Sequence, residues 1–199
     1  MLLLKNYANL YTHPSQSHQI INIMKFFIQK DKIIIDATSG MGGDSIFFCK
    51  HFKHVYCIEI NLECIDYLEN NLNNFKNKDI FNINCIDALK IIKYDAIYLD
   101  PPWGGKNYKN AENLDLYLED SQNINHNVLD IINSLYFYTD FIFLKAPYNF
   151  NLDYKNLLWD TIKYPIYKYI EKQSEKQSEK QSEKQRKIIF NLIVFIKNK

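Results

Sequence analysis

Glycine, proline and cysteine are scarce in this chain of 199 residues, at five, five and four copies, and a formal net charge of +1 leaves no excess of either sign. Each shortage excludes something. The cysteines are Cys49, Cys57, Cys64 and Cys85; none forms a CxxC pair, and no histidine pair stands beside them at zinc-finger spacing. Neither a disulfide framework nor a structural zinc site is expected. His13, His18, His51, His54 and His126 are scattered without a metal-ligand pattern, and His51 and His54 read as sharing one helix end. The balanced charge argues against a protein that grips a long nucleic acid by its phosphates alone. It favours a short or compact ligand and leaves room for a local basic patch. No apolar run reaches the length of a membrane span, and the opening MLLLKNYANLYTHP turns polar too soon for a signal peptide. The expectation is an intracellular protein, cytoplasmic or nuclear, neither secreted nor bound to a membrane.

What is present alternates. Apolar residues at Ile20, Ile21, Met24, Phe27 and Ile28 predict a helix over 18–30, with Pro14 and Ser15 placed as a helix start. Lys32–Ile35, Val55–Ile60, Ile80–Asn84, Tyr94–Leu99 and Thr139–Lys145 read as strands. Helices are expected at Ser45–Lys53, Leu62–Phe75, Asp87–Ile92 and Asn127–Tyr138. Tyr164–Ile170 and Lys187–Lys197 add two strands without a helix between them, which should pair antiparallel. The fold class is therefore α/β: a Rossmann-like, doubly wound, mostly parallel seven-stranded sheet with a C-terminal antiparallel hairpin. One domain is expected over 1–199, with an N-terminal helical segment at 1–31 and a low-complexity EKQS insert at 171–186. That repeat has no apolar face and reads as a solvated helix or a disordered hairpin tip. Trp159 reads as core or hairpin packing.

All five glycines lie in two places, Gly40, Gly42 and Gly43 in DATSGMGGD, and Gly104 and Gly105 in DPPWGG. Glycine supplies positive φ or close approach to a ligand. The first loop leaves a strand at Asp36 and Ala37 and enters a helix. Glu59 ends the second strand, where a carboxylate can accept from both hydroxyls of a ribose. Asp87, with Ala88, follows the third strand, where it can meet an adenine amino group. The loop is not GxGxxG, so the pattern suits an adenosine ligand without a pyrophosphate, a class that includes S-adenosylmethionine. In a doubly wound sheet the first and fourth strands meet at the switch point, so both glycine loops should face one crevice.

Asp100-Pro101-Pro102-Trp103 resembles the signature of methyltransferases acting on amino nitrogens. There the acidic or amide side chain and a proline carbonyl accept from an NH2 group while the aromatic ring stacks on its planar carrier. PPWGG followed by Tyr108, with DATSGMGGD upstream, is similar to the trimethylguanosine synthase family, the RNA-cap guanine-N2 methyltransferases, over about Thr12 to Ile196. Thr12-His13-Pro14 matches that family's threonine-proline before the first helix, with His13 in place of threonine. The resemblance implies S-adenosyl-L-methionine at Asp36, Ala37, Gly40, Gly42, Gly43, Glu59, Asp87, Ala88 and Asp100. It implies Asp100, Pro101 and Trp103 as catalytic residues. Trp103, Tyr108 and Lys145 would meet the substrate, a capped RNA or 7-methylguanosine nucleotide, with Trp103 stacked on a cationic 7-methylguanine. Lys145 lies where the family has a leucine-proline-arginine segment and would serve a phosphate as a point charge. Asp44 stands where the family often has Asn, and Asp100 where Ser or Asn is also found. The segment before Asp36 is shorter than the family's usual N-terminal part, so the expectation is either a minimal form or a protein partner that completes that lid. No metal is expected.

Two other functions fit the same residues. One is methylation of another amine: adenine in DNA, guanine in ribosomal RNA or a glutamine side chain. The other is a non-catalytic module that only binds capped RNA or a partner protein.

Overall fold

The computed structural model describes residue 2 and residues 11–172 and 183–198. Along the chain run α1 (Pro14–Met24), β1 (Ile33–Asp36), α2 (Ser45–His51), β2 (His54–Ile58), α3 (Leu62–Leu72), β3 (Lys78–Phe81), α4 (Cys85–Ile91) and β4 (Ala96–Leu99). A 3-10 turn (Gly105–Asn110) follows, then β5 (Tyr117–Glu119), β6 (Asn125–Asn127), α5 (Val128–Ser134), β7 (Phe141–Ala146), β8 (Trp159–Lys172) and β9 (Glu183–Lys197). The main sheet has the order β3-β2-β1-β4-β7-β9-β8. Its first five strands are parallel, and β9 runs antiparallel to both β7 and β8. This is the expected fold, Rossmann-like with a C-terminal hairpin.

The three isoleucines of β1 explain its central place. β-branched residues suit a pleated strand. Ile34 packs into the apolar cluster that holds α1 and α2, and Ile35 into the one that holds α4 and α5. A strand buried on both faces reads as a continuous apolar run. The chain's many asparagines cap its helices: Asn61, Asn84 and Asn127 accept from the backbone N–H of Glu63, Ile86 and Leu129.

Some boundaries differ from expectation. The first helix begins at Pro14 because His13 and Gln16 form a capping box, and beyond Met24 it gives way to turns. His54 does not share a helix end with His51. It opens β2, and its Nε2 meets Asp79 Oδ2 of β3 at 2.9 Å. β8 starts at Trp159, whose indole is buried and donates to Ile132 O. Of the EKQS segment expected at 171–186, residues 173–182 lie outside the described residues, and both flanks pair within the β8–β9 ladder. In the N-terminal segment, residues 1 and 3–10 also lie outside the described residues. The β5–β6 hairpin is an addition that the sequence reading does not contain. Among the described residues no helix is long and apolar enough to cross a membrane.

Candidate active site

β1 and β4 are neighbours, and the loops leaving their carboxyl ends face each other across the switch point. The first loop is shaped by its own hydrogen bonds. Ser39 Oγ donates to Asp36 O, and Ser39 N to Ile58 O. Gly40 N donates to Glu59 Oε2 at 2.8 Å, and Asn61 N donates to Oε1 at 2.7 Å. At Gly42 φ is +87°, and a Cβ there would stand 2.9 Å from Leu68 Cδ1. No other residue fits that turn. The glycines of the second loop have a conformational reason only: Gly104 and Gly105 sit at φ +82° and +76°, with open space around them.

Beneath the loops lies a cluster of three carboxylates and one ammonium, in which Asp36, Asp44 and Lys145 are buried and Asp100 is half-buried. Asp36 is 1% exposed; its Oδ2 accepts from Ser45 Oγ at 2.5 Å, while Oδ1 is buried without a partner. Desolvation pushes its carboxyl up to about 8, and the nearby Asp44 and Asp100 add to this against the hydrogen bond from Ser45. Asp44 is 7% exposed and accepts from Ser17 Oγ at 2.6 Å, Thr12 Oγ1 at 2.8 Å and the Tyr98 hydroxyl at 2.8 Å. Lys145 is 5% exposed, and its ammonium donates to Asp100 Oδ2 and to Thr12 Oγ1, each at 2.6 Å, with Asp44 Oδ2 at 4.0 Å. Burial alone would lower the Lys145 pKa; Asp100, Asp44 and Asp36 outweigh it and raise it. Desolvation raises Asp100 despite the opposing Lys145. The Asp100 N–H is fixed separately by Thr38 Oγ1 at 2.7 Å.

The second wall is aromatic. Trp103 is half-buried between both apolar clusters, with its Nε1 buried and unpartnered. Tyr108 meets it edge-on at 5.2 Å and Phe190 at 6.1 Å. Asn149 ties the walls of the mouth together, donating to Tyr108 O and Ala111 O from the segment after β7. Tyr148 beside it is half exposed.

The structure brings Asp36, Gly40, Gly43 and Asp100 to one crevice, together with Tyr11, Thr12, Thr38, Asp44 and Tyr98. Glu59 hydrogen-bonds the same loop, and Asp87 sits exposed in the first turn of α4; neither is among the residues that line the crevice. Ala37 and Ala88 are enclosed in the core, with their backbone N–H groups already spent on Tyr98 O and Asn84 O. Pro101 is buried. Lys145, expected to meet a phosphate, instead points inward, because two carboxylates and a threonine hydroxyl complete its surroundings. Sequence reasoning does not find Asp44, Thr12, Ser17 and Tyr98 as a set. The Thr12-His13-Pro14 match is a signal for the second of these alone. Among the described residues no group of three His, Cys, Asp or Glu side chains is arranged to hold a metal ion.

Comparison with known proteins bears on this crevice. The chain is 36% identical over 157 residues to an uncharacterized protein of Acanthamoeba polyphaga mimivirus, covering 73% of this chain and 57% of the relative. It is 28% identical over 105 residues to the trimethylguanosine synthase of Saccharomyces cerevisiae, covering 49% and 33%. In both cases the chain spans less than two-thirds of the relative's length. Among solved structures, the precorrin 8W decarboxylase of Methanobacterium thermoautotrophicum superposes with a TM-score of 0.60 at 17% identity, over 92% of this chain and 90% of that one. An rRNA methylase from Streptococcus thermophilus gives 0.56 at 10% identity, over 92% and 96%. At such identities the likeness is one of fold, that of class I methyltransferases. A family model described as RNA cap guanine-N2 methyltransferase matches residues 31–177. The chain belongs to the RNA cap guanine-N2 methyltransferase family, and its cofactor is S-adenosyl-L-methionine.

Proposed function

We propose that the protein methylates the exocyclic 2-amino group of 7-methylguanosine, as a free cap nucleotide or on capped RNA. The observation that carries this reading is the pairing of a half-buried carboxylate with an aromatic platform: Asp100 beside Trp103, at the switch point of a methyltransferase sheet.

The residues present fit the cofactor. Asp36 offers an unpartnered buried oxygen at the floor of the glycine loop. Each Glu59 carboxylate oxygen accepts one backbone N–H and retains a lone pair for a ribose hydroxyl. Asp87 stands exposed where an adenine amino group would lie. S-adenosyl-L-methionine supplies a methyl group on a sulfonium, a leaving group that needs no acid.

The chain's own task is then positioning. The lone pair of an exocyclic amine is delocalised into its ring. Asp100 and the Pro101 carbonyl accept from its two hydrogens, localising that lone pair and aiming it. Asp100 also receives the proton that the nitrogen gives up after transfer. Lys145 holds Asp100 Oδ2 from behind, so the other oxygen is left to face the amine. Trp103 stacks on the base, and a 7-methylguanine, being cationic, gains a cation–π attraction of about 1–2 kcal/mol that neutral guanine lacks.

The test is methyl transfer from radiolabelled S-adenosyl-L-methionine to 7-methyl-GTP, GTP and a short adenine-containing DNA, with Trp103→Ala alongside. Transfer to 7-methyl-GTP alone, lost in Trp103→Ala, is the expected result. Transfer to the DNA instead sinks the cap reading in favour of another amine.

A further inference from the structure

The C-terminal strands outrun the sheet they complete. Ala146, the last residue of β7, pairs with Asn191, and Pro165 pairs with Asn191 on the other side. The β8–β9 ladder then continues for seven more pairs, from Ile166–Phe190 to Lys172–Glu183. Because β7 is parallel to β1 and β4, this ribbon projects past the carboxyl ends of the strands, the side on which both glycine loops lie. Its base is fixed. Phe190 touches Trp103, and the Gln19 side chain of α1 bonds both backbone groups of Tyr167, where the ladder carries a bulge.

Just above that base the ribbon is basic. Lys168 pairs directly with Lys187, and Arg186 is next; all three are exposed. Like charges directly opposite on a ladder are destabilising. Among the described residues no carboxylate forms an ion pair with Lys168 or Lys187. At about 3.4 Å per residue, the Lys168–Lys187 pair lies roughly 10 Å beyond Phe190, hence beyond the Trp103 platform. The opposite flank of the mouth has the other sign. The segment 111–120 carries Glu112, Asp115, Glu119 and Asp120 with no basic residue, and its Leu116 and Leu118 pack on the opposite face of the sheet from Phe190.

We infer that the β8–β9 ribbon binds the phosphodiester chain of the RNA that follows the cap, with the cross-strand pair Lys168 and Lys187 as its phosphate contacts. The inference rests on the acceptor reading above and adds the direction in which the RNA leaves. A polyanion emerging beside Trp103 is repelled by the acidic hairpin and drawn along the basic ribbon. In sequence, tyrosines at 167 and 169 flank Lys168, an interleaving of aromatic and basic residues that suits single-stranded nucleic acid. The near-neutral charge of the whole chain is no obstacle, because a local pair of like charges, Lys168 opposite Lys187, is enough to attract a phosphate chain.

The test compares wild type with the double variant Lys168→Gln, Lys187→Gln. Two substrates, 7-methyl-GTP and a capped 20-mer RNA, are assayed for methyl transfer, and fluorescence anisotropy follows binding of the uncapped 20-mer across a salt series. In the variant, KM for capped RNA should rise about tenfold at low salt. The slope of log affinity against log salt should fall by about 1.4, or about 0.7 for each phosphate no longer neutralised. The kcat/KM for 7-methyl-GTP should stay within about twofold of wild type, because a single nucleotide does not reach the ribbon. Equal losses on both substrates would overturn the inference, since the ribbon would then serve the cap site. So would an unchanged salt slope, since the RNA would then leave elsewhere. If wild type transfers nothing to 7-methyl-GTP, the cap reading fails by itself, and the uncapped-RNA salt slope still decides the ribbon.

Discussion

The two walls of the crevice are built on opposite plans. The wall over β1 and β2 is polar and internally bonded: Asp36, Asp44, Ser39 and Glu59 are held by hydrogen bonds from Ser45, Thr12, Ser17, Tyr98 and the loop backbone. The wall over β4 and β7 is aromatic and edge-packed, with two buried polar atoms, Trp103 Nε1 and Asn149 Oδ1, left without partners. Buried carboxylates survive only when their surroundings compensate them. The first wall therefore recruits residues from distant parts of the chain and is bound up with the stability of the fold. Under the proposed function the second wall receives a ring, and its residues should then govern turnover more than folding.

That contrast can be broken by experiment. The largest effect is expected for Asp44→Ala, which strips the partner from three buried hydroxyls and leaves Lys145 with one carboxylate fewer. Urea unfolding should show a loss of at least about 3 kcal/mol; a loss under about 1 kcal/mol would mean the polar wall is not structural. Next is Lys145→Met, which leaves the half-buried Asp100 without its counter-ion. Stability should fall by about 3–5 kcal/mol, and pairing it with Asp100→Asn should restore a large part. No restoration would show that the two side chains do not act as a pair.

A pH effect follows. Asp36 titrates near 8 when folded, against an ordinary 3.8. Its folded pKa is raised, so the stability it contributes is whole below about pH 4 and is lost as the pH climbs through 8. The protein without ligand should lose on the order of a few kcal/mol across that window. The raised Asp100 acts in the same direction. In Asp36→Asn the decline should be visibly shallower; parallel curves for the two proteins would place the titration elsewhere. The smallest effect sharpens the other wall. Trp103→Phe keeps a ring in place but weakens the attraction to a cationic base. Transfer to 7-methyl-GTP should drop by about fivefold, with the urea midpoint little changed. Equal falls in turnover and stability would erase the distinction between the walls.

Much of this architecture is legible in the sequence because it is local. A β-branched run marks β1, apolar runs mark β2, β4 and β7, and the concentration of glycine in two loops marks the crevice. What escapes is long-range or short. Ser17, Tyr98 and Thr12 meet at Asp44 from 27, 54 and 32 residues away, and Lys145 reaches Thr12 across 133. No spacing rule announces such pairings, so Lys145 reads as a phosphate ligand although burial has turned it inward. The β5–β6 hairpin escapes because each strand has three residues. Its signal lies in the turn, where Asp120 Oδ1 accepts from Gln122 N and Ile124 N. The start of β8 is hidden because Trp159–Lys163 alternates in hydrophobicity too weakly. Pro165 is tolerated because β8 is the sheet's edge.

The place of β9 has a consequence for how the molecule is made. In space it lies between β7 and β8; in sequence it follows both. While the chain grows on the ribosome, β7 presents an open edge and β8 has no strand to join until Phe190–Phe195 emerge. These residues supply much of the core and the ring against which Trp103 rests. The acceptor wall is thus assembled last, and a nascent chain cut short before Phe190 has a glycine loop but no finished platform. Such a species exposes two unpaired strand edges, the form in which β-proteins aggregate. Completion of the active crevice and escape from aggregation are one event in the life of this chain.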